Sequence, residues 1–448
     1  MTTAPDPAPP RSSLLRVAVA SGVGTSLEFY DFAIYGTATA LVFTDTFFRT
    51  GDPWFSTFMG LATFGTGFLM APLGAVLFGW VGDRRGRRTA LMMTFLGMGA
   101  ATVLMGLLPS YATIGVAAPV LLVCLRLVHG LCRGGETGGA ATLAMEHAPP
   151  ERRALWGVFT ALGSPVGTIL ANVAFMFVLF LPAQDVADWG WRLPFLFGGV
   201  VLALGIWVRR GVRESPEFRA LHASGALEAR RAPVVEVLRS RWRRVLLAAG
   251  VNIGLNSTTF ALSIFMLSYA TAAAPEGLGL PRQPIVNGAI LALVLHGVFN
   301  VVGALASDRF GRRPVMMSGA VLSAVAALSI FPLSAQGTVG AVTLAMCLGF
   351  AATGILFGPM YVYFGELFPH EQRQTGMGIA FHVGAVLGGG ISPLVANRIL
   401  AWTGDAVNIG YYLACALVLS MVCLAALPET APRRLAARAG AQPSPASV

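Results

Sequence analysis

Charge is what this 448-residue chain has least of: 12% of its residues are charged against 55% apolar, and lysine does not occur at all. A soluble protein of this size needs far more polar surface, so that class is excluded. The five cysteines (Cys124, Cys132, Cys347, Cys415, Cys423) show no Cys-x-x-Cys spacing, which argues against a redox pair or a zinc site and leaves them as small buried residues. No two histidines stand four residues apart, so no metal site is expected. Nucleotide-binding motifs and a nucleophile beside a base are missing as well, which speaks against an enzyme.

What the chain does have is long apolar runs. A membrane-spanning helix takes about 20 apolar residues, and twelve such runs occur, at 15–44, 54–80, 89–109, 114–146, 153–181, 191–209, 243–274, 285–306, 314–333, 338–366, 374–402 and 408–427. The expected fold is therefore all-α, with twelve transmembrane helices. Residues 1–13 are Pro-rich and read as a disordered tail, 14–210 as a first six-helix bundle, 211–242 as a polar linker, 243–428 as a second bundle and 429–448 as a frayed tail. With both ends in the cytoplasm, only Arg49, Arg192, Arg282 and Arg398 fall on the outer side and only Arg126 and Arg133 within a span; every other arginine is cytoplasmic. That is the positive-inside pattern, so the formal charge of +10 reports topology in a cell membrane, inner or plasma, and does not point to nucleic acid.

The chain repeats itself. Gly79-Trp-Val-Gly-Asp83-Arg84-Arg85-Gly86-Arg87-Arg88 returns 225 residues later as Ala304-Leu-Ala-Ser-Asp308-Arg309-Phe310-Gly311-Arg312-Arg313, and Glu146, Pro149, Glu151 and Arg153 return at a shift of 220 as Glu366, Pro369, Glu371 and Arg373. Two motifs recurring in the same order mean two related halves. Each charged turn must sit in an aqueous loop between two spans. Its Asp is placed to accept from a facing helix N-terminus, its Gly to permit a tight turn and its Args to hold acidic partners, together a cytoplasmic latch. Glu146 with Arg153, and Glu366 with Arg373, are the expected partners; the competing reading is that the Args only set topology.

Twelve spans with these two turns resemble the major facilitator superfamily. Further motifs are similar to its metabolite:proton symporter branch, whose members carry shikimate, citrate, dicarboxylates, proline or betaine. They are Leu27-Glu28-Phe29-Tyr30-Asp31-Phe32 with Tyr35-Gly36, the stretch from Arg126 to Gly134-Gly135-Glu136 with Gly138-Gly139, Trp189-Gly190-Trp191-Arg192-Leu193-Pro194-Phe195, and Glu214-Ser215-Pro216-Glu217-Phe218. The resemblance implies two six-helix bundles related by a pseudo-twofold axis, rocking around a central cavity. This chain departs from that branch at His129, in place of Gln, at Arg133, in place of a small or apolar residue, and at Phe381-His382, in place of Tyr-Asn. These departures bear on the substrate.

Ions inside a membrane normally face a partner or a wet cavity. Arg126, His129, Arg133 and Glu136 lie within an arc of about 80° on one helix face, which reads either as an anion site or as a structural network binding the span to its neighbours. Glu28 and Asp31 lie 60° apart on the first span, where two poorly solvated carboxyls do not both ionise cheaply, so the pair is placed to carry a proton; alternatively, one of them neutralises an Arg permanently and only the other titrates. The expected substrate-binding residues are Arg126, Arg133, His129, Tyr30, Asn256, Tyr361 and His382; the proton-coupling residues are Glu28, Asp31 and Glu136; the gate is Asp83, Arg84, Gly86, Arg87 and Arg88 with Asp308, Arg309, Gly311, Arg312 and Arg313.

The function expected from this pattern is proton-coupled uptake of a small organic anion, most simply a carboxylate, by alternating access. No cofactor is expected beyond the proton gradient, and the partners are the anion, protons and the lipid bilayer, with the chain working as a monomer. The alternatives are a proton antiporter exporting a metabolite or drug, suggested by Gly163-Ser164-Pro165-Val166-Gly167, and a symporter for a zwitterion such as proline or betaine.

Overall fold

A computed structural model of the chain describes residues 11–48, 59, 63, 65–210, 233–273 and 277–432. The spans are α1 (Arg11–Ala38, prolonged by turns to Phe47), α2 (Ala71–Arg85), α3 (Arg87–Leu107), α4 (Ala117–His147), α5 (Arg153–Val178) and α6 (Arg192–Arg210) in the first half. The second half holds α7 (Trp242–Phe260), α8 (Arg282–Phe310), α9 (Arg312–Ser334), α10 (Val339–Phe357), α11 (Arg373–Ala385) and α12 (Val407–Ala426). Helices Met360–Glu366 and Ser392–Thr403 extend α10 and α11. Eleven of these helical segments are long and apolar enough to cross a membrane. The exception is α1, whose apolar stretch is interrupted by Glu28 and Asp31.

Helix is the only way for this backbone to satisfy its polar groups in hydrocarbon. The outward faces are correspondingly greasy: Leu69, Phe177, Phe180, Trp207, Val325 and Trp402 are all exposed, a surface stable only against lipid. Helices approach closely where one side is glycine. A Cβ on Gly163 would stand 2.5 Å from Thr25 of α1, and one on Gly303 of α8 would stand 2.6 Å from the Ile355 carbonyl of α10, so each half depends on small residues at its contacts.

The α2–α3 and α8–α9 turns lie at the same end of the bundle as the first described residue, Arg11, and the C-terminal Glu429; this is called the gate end here. At both turns a glycine takes positive φ, Gly86 at 98° and Gly311 at 103°, a conformation that side chains disfavour. Of the linker, residues 211–232 lie outside the described part, while Pro233–Ser240 is a short helix with Val237 fully buried. The C-terminal boundary differs from the sequence expectation. Glu429 is docked: its carboxylate accepts from the amides of Arg312 (2.9 Å) and Arg313 (3.1 Å), and the Tyr363 hydroxyl donates to the Pro428 carbonyl. The first residues beyond α12 therefore cap the N-terminus of α9, and the second bundle runs past 428.

Candidate functional site

Two ion pairs link α1 to α4. Arg133 Nε donates to Glu28 Oε1 at 2.7 Å, and Thr137, one turn further along α4, donates to the other Glu28 oxygen at 2.9 Å. His129 Nε2 lies 3.2 Å from Asp31 Oδ2, while its Nδ1 lies 3.5 Å from Arg126 Nη1. The 3.6-residue period explains the ladder, since Arg126, His129 and Arg133 climb the α4 face opposite α1. Aromatic rings complete the setting. The Arg133 guanidinium lies 4.0 Å from the Phe32 ring centroid and 4.9 Å from that of Phe68; Arg126 lies 4.4 Å from Phe32 and 4.1 Å from Tyr35. Cations over aromatic faces in a desolvated setting gain about 2 kcal/mol.

All of these ions are out of solvent: Glu28, Asp31, Arg126, His129, Arg133 and Glu136 are each 2% exposed or less. The site is closed toward the gate end by α11, whose Gln374 packs against Gly82 of α2 and Gly139 of α4. Toward the far end, Phe68 packs on Phe260 of α7, ring centroids 5.3 Å apart, and beside Gly389 and Gly390. The ion pairs are thus sealed between two layers where the halves meet.

The second half presents Tyr361 and His382 to this region. Both are buried, and both stand within electrostatic reach of Arg133. Phe381 joins them, stacked on Tyr361 (5.3 Å, 20°) and edge-on to His382 (5.3 Å, 81°). Neither the Tyr361 hydroxyl, nor Arg133 Nη1, nor either His382 nitrogen has a hydrogen-bond partner in normal geometry, although the His382 ring lies beside the backbone of Gly134. An unpartnered buried polar group costs about 1–3 kcal/mol.

The gate end is tied by ions that cross between the halves. Asp308, at the end of α8, accepts from the Ala154 and Leu155 amides at the start of α5, at 3.2 and 2.9 Å, a carboxylate set on a helix N-terminus. Arg312 pairs with Asp308 at 2.5 Å and with Glu366 at 3.3 Å. Arg373 of α11 reaches Glu146 of α4 at 3.3 Å.

Two repeated bundles around a sealed ionic site are the plan of a transporter, and comparison with known proteins decides which kind. The family described as "Sugar (and other) transporter" matches this chain twice, over residues 17–233 and 222–438. The chain belongs to that family of the major facilitator superfamily. It is a transporter rather than an enzyme. Among relatives, the inner membrane metabolite transport protein YhjE of Escherichia coli is 39% identical over 94% of this chain and 96% of its own length. The shikimate transporter of E. coli is 36% identical (90% and 92% covered), and the proline/betaine transporter of E. coli is 29% identical (97% and 87% covered). The proton:xylose symporter XylE superimposes with a TM-score of 0.78 at 17% identity, covering 94% of this chain and 97% of that one, so the two share a fold.

Within the transporter, several expected site residues fall elsewhere. Tyr30 does not face the site: its hydroxyl donates to the Pro194 carbonyl at 2.5 Å, binding α1 to α6 inside the first half. Asn256 donates to the carbonyl and side-chain oxygen of Asn252, and Asn252 to the Phe381 carbonyl, a helix-to-helix tie between α7 and α11. Glu136 accepts from Thr94 of α3 at 3.2 Å, away from the α1 pairs. Glu28 and Asp31 are parted, one to Arg133 and the other to His129, so they share no site. At the gate, the acids pair across repeats, Glu366 with Arg312 and Glu146 with Arg373, in place of the pairing expected within each repeat. The Asp83 and Arg87 side chains lie outside the described part; Arg84 rests on Trp80 (4.9 Å), and Arg88 donates to the Arg210 carbonyl. Arg309 lies over the Phe310 ring (5.3 Å), and Arg313 binds the Ala425 carbonyl at the end of α12. No cluster of metal-ligating side chains occurs among the described residues.

Sequence reasoning missed Thr137, Gln374 and the Phe32 and Phe68 rings. Thr137 was within reach, since it stands four residues after Arg133 on the same helix face. Phe68 and Gln374 carried no signal, because each acts only through a helix of the other half.

Proposed function

We propose that this transporter is a cell-membrane symporter, with both termini cytoplasmic, that takes up a small organic carboxylate together with protons. The observation that carries this reading is the charge balance of the sealed site. Two arginines and three carboxyls share it without solvent, so an added anion leaves an excess of buried negative charge unless a proton arrives with it. Excess buried charge is among the costliest states a protein can hold. Glu28 is the acid placed to take that proton, because it alone shares the guanidinium that borders the second half. With Glu28 protonated, Arg133 is released to the cargo carboxylate; when the cargo leaves, Glu28 gives up its proton and the pair re-forms. Arg126, His129 and Asp31 hold the neighbouring layer, and Asp31 is the second candidate for proton binding.

Alternating access has its latch in the contacts at the gate end, which the arginine distribution assigns to the cytoplasmic side. Asp308 on the α5 N-terminus, Arg312 with Glu366 and Arg373 with Glu146 hold the halves together there, and rocking exchanges these contacts for those of Phe68 and Phe260. Both halves of the site come from one chain, so the monomer is the working unit, and the proton gradient is the only auxiliary requirement. The compounds for which two relatives are named, shikimate and proline or betaine, all carry a carboxyl group, which supports the class. A zwitterion remains the second reading on the strength of the proline/betaine relative, and an exporter is the third.

The test is uptake by proteoliposomes offered a panel of monocarboxylates, dicarboxylates, betaine and neutral sugars, with and without a pH gradient. The reading expects gradient-driven uptake of a carboxylate that Arg133→Gln abolishes while the purified variant stays monodisperse. Uptake of betaine or sugars alone, or undiminished carboxylate uptake by Arg133→Gln, overturns it.

A further inference from the structure

Three polar groups that a closed protein normally satisfies are unsatisfied at one place, and they come from both halves. Arg133 Nη1 belongs to α4, the Tyr361 hydroxyl to the extension of α10, and the His382 ring to α11; all three residues are 1% exposed or less. Other buried groups of the same kind are engaged. Tyr30 donates to Pro194 and Tyr363 to Pro428; His129 uses both nitrogens, and His296 has Nδ1 3.0 Å from the Phe350 carbonyl. Polar groups buried without partners are rare in native structures. Here the exceptions cluster beside one guanidinium, and the Phe381 ring fixes two of them relative to each other.

The needs of the three groups differ, and that difference describes the cargo. Arg133 Nη1 can only donate, so it requires an acceptor and suits a carboxylate oxygen. A tyrosine hydroxyl and a neutral imidazole each donate through one site and accept through another. A single hydroxyl on the cargo answers both, accepting from one and donating to the other. A plain carboxylate has no donor to offer and leaves the accepting atom of one of them unmet.

We infer that the cargo is a hydroxylated carboxylic acid, held by its carboxylate on Arg133 and by a hydroxyl bridging Tyr361 and His382. This rests on the proposed carboxylate uptake and adds to it the feature that selects among acids. The first half reads the charge, and the second half reads the hydroxyl. Because the three groups belong to different halves, a cargo with both features also joins the halves in the closed state, whereas an acid lacking the hydroxyl leaves the second half unsatisfied.

The experiment measures competition against counterflow in proteoliposomes of the full chain, using matched acids: lactate with propionate, 3-hydroxybutyrate with butyrate, and 3-hydroxycyclohexanecarboxylate with cyclohexanecarboxylate. These pairs place the hydroxyl at different reach from the carboxylate. The wild type should favour the hydroxylated member of at least one pair by roughly tenfold or more, the range expected when buried groups are left unpaired. Tyr361→Phe and His382→Phe should bring that preference close to unity while leaving competition by the deoxy acid unchanged, and His382→Asn should retain part of it. The inference is overturned if the wild type discriminates in no pair, or if the preference survives in both Phe variants. The wild-type comparison needs no variant, so a variant that fails to fold does not spare the inference. Competition by deoxy and hydroxy acids alike leaves the carboxylate reading standing and removes only this one; no competition by any acid removes both.

Discussion

Glu28→Gln keeps the shape of the side chain and removes its charge from Arg133. In the folded protein the two lie 2.7 Å apart, with Arg133 2% and Glu28 0% exposed along their side chains. Removing one member of a buried ion pair costs about 3–5 kcal/mol, because the remaining charge has no partner. The guanidinium cannot escape by shedding its proton. Thermal unfolding in detergent should therefore fall for Glu28→Gln and recover in part when Arg133→Gln is added, since the double variant buries no lone charge. The transport consequence follows from charge as well. One proton with one monovalent anion is neutral, so only the pH gradient drives accumulation. One pH unit is worth about 1.4 kcal/mol, enough to hold the cargo about tenfold more concentrated inside, and an imposed potassium diffusion potential should add nothing. Glu28→Gln has no proton to release; it should exchange labelled for unlabelled cargo and reach equal concentrations without accumulating it. Uptake in proteoliposomes under an imposed pH step reads both quantities. Tenfold accumulation by Glu28→Gln, or a strong response of the wild type to membrane potential with a monovalent acid, would refute the reasoning.

Other outcomes follow from the same structure. Asp308→Ala removes the acceptor for the Ala154 and Leu155 amides; a lost helix cap costs about 1 kcal/mol, so the gate end should open several-fold more often. The reporter is the alkylation rate of Thr375→Cys, buried against Gly79, in a background lacking the native cysteines, and an unchanged rate would remove Asp308 from the latch. Gly134→Ala would drive a Cβ into the backbone of Ala71 and Ala75 and should destabilise by about 1–3 kcal/mol, whereas Gly340→Ala, which meets nothing, should stabilise by about 0.5–1 kcal/mol. Equal melting temperatures for these two variants would contradict the close α2–α4 contact. Truncation after residue 432 should leave the melting temperature unchanged, while Glu429→Ala should lower stability by about 0.5–2 kcal/mol through the lost cap on α9; thermal unfolding distinguishes the two.

Much of the fold was legible because hydrocarbon imposes a simple rule. Every span of about 20 apolar residues had to be helical, and observed bounds such as Arg153–Val178 or Val339–Phe357 with its extension to Glu366 fall close to those expected. The halves were legible from the repeated turns, and the helical period correctly put Arg126, His129 and Arg133 on one face. Pairing was less legible. That α1 would meet α4 was open, and so was whether Glu28 and Asp31 shared one site or took separate partners; 105 residues separate Glu28 from Arg133. The gate pairs reached across repeats because the latch must join the two halves, and Arg373 with Glu146 spans 227 residues. Tyr30 was misplaced because its side of α1 faces α6, a neighbour that only the folded bundle supplies. Glu429 looked like part of a frayed tail because a cap on a distant helix leaves no periodic trace.

Proton movement coupled to cargo movement tests the central claim most directly. Proteoliposomes loaded with a pH-sensitive dye, given a transported carboxylate outside at equal starting pH and potential, should acidify inside as the anion enters, one proton for each monovalent anion, and Glu28→Gln should show no such change. Cargo entry by the wild type with a constant internal pH, or with internal alkalinisation, would contradict the account.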